Sequence, residues 1–146
     1  MEKLNQSNAA KEFETQESGL KLGKTATVKA VVNEKNTASA FLSGSLDVFA
    51  TPMMIGLMEQ AACECLANAL EPGLTSVGTE INVSHTAASP LGMEITATAT
   101  IESVLGRKIE FSVTANDTSG EIGRGKHTRA IVDIERFMKK AEMRKL

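Results

Sequence analysis

Between Thr51 and Cys63 the chain reads Thr-Pro-Met-Met-Ile-Gly-Leu-Met-Glu-Gln-Ala-Ala-Cys, an apolar run broken near its middle by Glu59. Thr51 suits the residue that caps a helix, and Pro52 suits its first turn. Glu71-Pro72-Gly73 is a stop signal, so the expected helix runs from about Pro52 to Leu70. Apolar residues fall on nearly every side of a 3.6-residue period, so such a helix must be enclosed by other parts of the chain.

The enclosing material follows in order. Val77 to His85, Met93 to Val104, Lys108 to Asp117 and Glu121 to Glu135 read as strands. Pro90-Leu91-Gly92, Leu105-Gly106-Arg107 and Thr118-Ser119-Gly120 separate them as turns. Upstream, Lys24 to Val32 alternates and reads as a strand, with Asn33-Glu34-Lys35-Asn36 as its turn. Thr37 to Phe41 is expected to return as a short strand, and Leu42 to Asp47 to form a loop. An antiparallel sheet has one face to bury and this helix has most of its surface to bury. A sheet curled around one long central helix satisfies both, which is the α+β layout of a hot dog fold. Its edges stay open, and a homodimer joining two sheets is the expected remedy, with a tetramer as a further step.

A chain of 146 residues fits one domain. Residues 1–18, rich in Glu, Lys, Asn, Gln and Ser, are expected to be a loose polar tail. Residues 19–137 form the expected domain, and residues 138–146 a basic tail. The formal net charge of −2 gives no electrostatic case for nucleic acid as the main partner. No apolar run approaches the roughly 20 residues of a membrane span, and the first residues lack a signal-peptide core. Cytoplasm is the expected compartment. Cys63 and Cys65 are two apart on a helix and point to different faces, so no disulfide framework is expected. Two histidines 42 positions apart do not make a zinc pattern, and no metal is expected.

Glu59 is the first candidate for chemistry. A carboxylate in an apolar helix loses hydration, so it needs a partner or a raised pKa. It can then act as a nucleophile or general base, although a glutamate that reaches the surface gives the same sequence. His85, at a strand end, can move protons near neutral pH or simply be satisfied by a turn. Gly78 interrupts a strand, which marks either a bulge or a close backbone approach. Thr51 can cap the helix or offer its hydroxyl to a reaction. Unpaired amides at Pro52 to Ile55 would suit an anion. His127 and Arg129 share one strand face. They can bind a substrate carboxylate or coenzyme phosphate, but an ordinary solvated or salt-bridged pair is the simpler expectation. The methionines Met53, Met54 and Met58 are core first and acyl-pocket lining second. Gly120-Glu121-Ile122-Gly123-Arg124-Gly125 precedes a strand rather than a helix, so a phosphate loop is not expected there.

Several stretches in order carry a family resemblance: Val48-Phe49-Ala50-Thr51, Gly56-Leu57-Met58-Glu59, Leu70-Glu71-Pro72-Gly73, Val77-Gly78-Thr79 and Val83-Ser84-His85-Thr86-Ala87-Ala88. With Glu121 to Ala130, they resemble the fluoroacetyl-CoA thioesterase group of hot dog proteins over about residues 20–137. The resemblance implies a catalytic set of Thr51, Glu59 and His85, with Gly78 near the thioester carbonyl. It implies no metal or redox cofactor; coenzyme A enters as part of the substrate. Members selective for the fluorinated substrate carry bulky aromatic residues just before the Val-Phe-Ala-Thr stretch, where this chain has Gly44-Ser45-Leu46-Asp47. Selectivity for fluoroacetyl is therefore not implied.

Thr51 and Glu59 are eight residues apart, roughly 12 Å of helix rise. If both serve one site, each must come from a different chain. The expected activity is hydrolysis of a short or medium acyl-CoA to the free acid and CoA. Its rivals are a dehydratase or hydratase on the same fold and a non-catalytic acyl-CoA binding module.

Overall fold

The computed structural model describes residues 20–145. The expected tail over residues 1–18 lies outside the described residues. Five strands form one antiparallel sheet: β1 (Thr25–Val31), β2 (Leu74–His85), β3 (Glu94–Leu105), β4 (Lys108–Asp117) and β5 (Gly120–Asp133). Their order is β1-β3-β4-β5-β2, so β1 and β2 are the edges. The helices are α1 (Ala38–Phe41), α2 (Thr51–Leu66) and α3 (Ile134–Glu142), followed by a 3-10 turn at Met143–Lys145.

Alternation chooses the face that receives α2. Ile95, Ala97, Ala99 and Ile101 of β3 and Ile109, Phe111, Val113 and Ala115 of β4 are buried, with more exposed residues between them. The alanines let the helix approach closely, and the Cys65 thiol donates to the Ala99 carbonyl at 3.3 Å. Met54, Met58, Ala61 and Leu66 complete the core from the helix side. Hot dog architecture is thus present: a five-strand antiparallel sheet packed against the central helix α2. The sheet covers less of the helix than expected, however. Pro52, Gly56, Gln60 and Cys63 form an exposed stripe, because five strands curl around only part of its circumference.

Two further local expectations are corrected. Thr37 to Phe41 does not return as a strand. Thr37 makes one isolated bridge to Phe49, then its hydroxyl accepts from the Ala40 amide and starts the single turn α1. Helix α2 ends at Leu66, four residues before the expected end, and Asn68 turns away with φ +61. At the C-terminus the Asp133 side chain accepts from the Arg136 amide and caps α3, so residue 137 lies within a helix. The glycine-rich run Gly120 to Gly125 lies in β5; a Cβ on Gly125 would strike the Asn82 carbonyl of β2. Among the described residues no helix is long and apolar enough to cross a membrane.

Candidate active site

Two clusters of polar side chains face α2, one at its start and one two turns along. At the start, Ala50 and not Thr51 is the N-cap residue, with no side-chain cap bond, and Thr51 opens the first turn. The amides of Met53 and Met54 both bond to the Ala50 carbonyl, and Pro52 has none to offer. The free amides expected over Pro52 to Ile55 are therefore largely used. What is released instead is the Thr51 hydroxyl. It lies 2.8 Å from Nδ1 of His85, the last residue of β2. Burial pushes the His85 pKa below its usual value, with the Ala87 backbone opposing. Its Nε2 is buried and has no hydrogen-bond partner among the described residues. An open pocket of about 310 Å³ lies over the pair, bordered by Ser43, Val48, Phe49 and Ala87.

The second cluster centres on Glu59. Its carboxylate is not sealed in the interior; the side chain is 43% exposed. Its partner is Arg129, whose side chain is only 7% exposed and whose Nη1 donates to Glu59 Oε2 at 3.2 Å. Arg129 is fixed from behind as well. Its Nε donates to Ser76 Oγ at 2.8 Å and its Nη2 to the Ser76 carbonyl at 3.1 Å. Nη1 also lies 3.2 Å from Nε2 of His127, and His127 Nδ1 lies 2.8 Å from the Glu80 carbonyl. The His127 ring stacks on Phe111, with centroids 6.1 Å apart. Burial is the main cause that lowers the His127 pKa; the Glu80 carbonyl and Glu59 oppose, and the Arg129 charge adds to the lowering. A solvated His127–Arg129 pair is thus corrected: both are buried, and the salt bridge runs to the helix. Gly78 leaves room for this group. A Cβ there would stand 2.7 Å from Glu59 Oε2 and 3.2 Å from the His127 ring.

A bulge gives both clusters the same face. Gly78 and His85 are seven residues apart, and strict alternation would point them to opposite sides of the sheet. The register of β2 against β5 shifts between Gly78 and Glu80, leaving Thr79 as the extra residue. Gly78 pairs with Arg129, while Ile81 pairs with His127 and His85 with Gly123. The phase is thereby inverted, and His85 returns to the helix side.

Within one chain the structure brings Thr51 to His85, and brings Glu59 to Gly78 and Arg129. It does not bring the two groups together, since eight residues of α2 rise roughly 12 Å. Ser76 was absent from the sequence-based candidates, and His127 was assigned no definite role. Alternation back from Gly78 reaches Ser76. No sequence signal reported that Arg129 would be buried between them.

The model of the fluoroacetyl-CoA-specific thioesterases matches residues 32–135. A fluoroacetyl-CoA thioesterase of Streptantibioticus cattleyicolor is 40% identical over 98 residues, 67% of this chain and 70% of that protein. A variant of a fluoroacetyl-CoA-specific thioesterase, solved with fluoroacetate and CoA, is 40% identical. It superposes with a TM-score of 0.77 over 81% of this chain and 99% of its own. A hot-dog-like protein from Thermanaerovibrio acidaminovorans is 26% identical, with a TM-score of 0.80 over 87% of this chain and 94% of its own.

Proposed function

The chain belongs to the fluoroacetyl-CoA-specific thioesterase family and is a thioester hydrolase of the hot dog fold, and we propose that it cleaves short acyl-CoA substrates at a site shared by two copies of the chain. The observation that carries this reading is the pair of half-sites: Thr51 with His85 at 2.8 Å, and Glu59 held by Arg129 over the bare Cα of Gly78. Each half lacks what the other has. The first has a proton carrier and a hydroxyl; the second has a carboxylate and a strand-edge backbone.

The edge strand supports a second copy. Among the described residues β2 pairs only with β5, and the exposed stripe of α2 leaves a further surface open. Two copies of β2 paired antiparallel about Asn82 would bring His85 of one opposite the Gly78–Thr79 bulge of the other. A two-fold arrangement makes two such sites at once. It would also give the orphaned Nε2 of His85 a polar neighbourhood.

The chemistry then follows. The thioester carbonyl lies between the halves. Glu59 takes a proton from water as the water oxygen adds to the carbonyl carbon. The backbone at Gly78 stabilises the developing oxyanion, and Thr51 orients His85. The carbon–sulfur bond breaks, and the proton that Glu59 took passes through His85 to the leaving thiolate, which leaves both side chains as they began. Substrate, water and these side chains balance the reaction: one acid and one thiol leave. A relative solved with fluoroacetate and CoA supports a short acyl group.

The test is thiol release by purified protein across a panel of acyl-CoA substrates from two carbons upward. Turnover with the short members is the expected result. A folded protein that releases no thiol above buffer from any member contradicts the reading.

A further inference from the structure

His127 makes no hydrogen bond to Glu59, yet it touches the residue that holds Glu59. Arginine donates through every nitrogen and cannot be deprotonated at working pH. The 3.2 Å approach of Arg129 Nη1 to His127 Nε2 therefore requires a lone pair on Nε2. The proton then sits on Nδ1, which donates to the Glu80 carbonyl at 2.8 Å. The ring is neutral, in one tautomer, 2% exposed and stacked on Phe111. Nη1 thus serves two acceptors, Glu59 Oε2 and His127 Nε2, while Ser76 takes Nε and Nη2.

From this we infer that His127 is a positioning residue for the hydrolase. Its neutral Nε2 sets the rotation of the Arg129 guanidinium, and hence the place of the Glu59 carboxylate above Gly78. The inference rests on the proposed role of Glu59. A ring nitrogen is a small acceptor in a fixed direction, and its other nitrogen is anchored to Glu80, next to the bulge that turns β2. One side chain therefore ties the bulge, the arginine and the carboxylate together. Without an acceptor there, one buried N–H of Arg129 loses its partner, and the guanidinium turns toward water.

The test compares substitutions that differ in the acceptor. H127F keeps an aromatic ring for Phe111 and removes the acceptor; H127L does so with less bulk, should the phenyl ring not fit. H127Q supplies an amide oxygen near the Nε2 position. The acceptor-free variants should lose about tenfold or more in kcat on a short acyl-CoA, with KM changed less, because misplacement of a catalytic group acts on the reacting geometry. H127Q should retain kcat within about threefold of wild type. Equal losses in all variants, or none in any, would overturn the role. Crystal structures of the variants give a readout without turnover. Arg129 Nη1 should leave Glu59 Oε2 in H127F or H127L and stay on it in H127Q; an unchanged ion pair in the acceptor-free variants also overturns it. A wild-type protein that turns over no acyl-CoA would sink the functional reading and leave the crystallographic comparison to decide this one.

Discussion

Glu59 Oε2 lies so close over Gly78 that a methyl group at position 78 would stand 2.7 Å from it. The helix carboxylate and the edge strand meet only because residue 78 has no side chain. Gly78 is not in a left-handed conformation, so its bareness serves the approach and not the backbone turn.

Gly78→Ala should therefore fold but displace the carboxylate. We expect kcat to fall by about tenfold to a hundredfold, the range for a misplaced catalytic group. Thermal unfolding should change little. Steady-state kinetics beside a melting curve make the check, and near-normal kcat would separate Gly78 from the site.

Glu59→Gln keeps the size of the side chain and removes the proposed base. His85→Ala removes the proposed proton carrier. Each should lower kcat by about a hundredfold or more. If both folded variants stay within a few-fold of wild type, the residue roles are wrong even though the family assignment stands.

Arg129→Met leaves Ser76, His127 and Glu59 without their shared donor. Because Glu59 still reaches solvent, the loss should be moderate, about 1–3 kcal/mol. Denaturant titration of this variant against wild type measures it, and unchanged stability would contradict the account of a buried, fixed guanidinium.

Burial holds the pKa of both His85 and His127 below the ordinary 6.5. Below that value the unfolded chain takes up protons that the folded chain refuses. Stability should therefore be steady above about pH 7 and fall as pH drops through 6.5 toward the folded-state values. Hydrogen bonds from Lys108, Ser89 and Arg124 hold Glu110, Asp117 and Glu121 below the ordinary carboxylate values. Urea midpoints measured down to about pH 5 test this. His127→Gln should flatten the slope; a slope that is the same in wild type and variant would contradict it.

The sequence carried the frame of the site but not its joints. The apolar run with one carboxylate led to a central helix and to Glu59, and strand alternation placed β4 at Lys108–Asp117 as expected. Pro52 drew the cap to Thr51, yet the helix begins one residue earlier, and that shift frees the Thr51 hydroxyl for His85. Gly78 marked a bulge or a close approach in the sequence, and both are present, but the change of phase along β2 could not be read, because it is a register shift against a strand some 50 residues away. Without the bulge, alternation cannot relate Gly78 to His85. His127 and Arg129 were seen to share a face, but whether that face is wet or buried is decided by α2.

The stretch before Val48 bears on selectivity. Leu42 and Leu46 are largely exposed, Phe41 is half-exposed, and no aromatic residue stands at positions 44–47. Fluorine differs little from hydrogen in size, so discrimination needs closely placed groups. We expect kcat/KM for fluoroacetyl-CoA over acetyl-CoA to exceed the ratio of their hydroxide-catalysed rates only modestly. An excess of about a thousandfold, roughly 4 kcal/mol at the transition state, would contradict this, and Phe41 and Phe49 would be the residues to substitute next.

The central claim is that one site takes Thr51 and His85 from one copy and Glu59 from another. Mixing two inactive proteins, His85→Ala and Glu59→Gln, tests it most directly. In a mixed dimer one site is whole and the other carries both lesions. Random exchange of equal amounts should make about half the dimers mixed, and activity should rise to about a quarter of wild type. If the mixture stays at the level of its parents after exchange has been verified by mass-tagged subunits, Glu59 and His85 act within one chain, and the shared site is wrong.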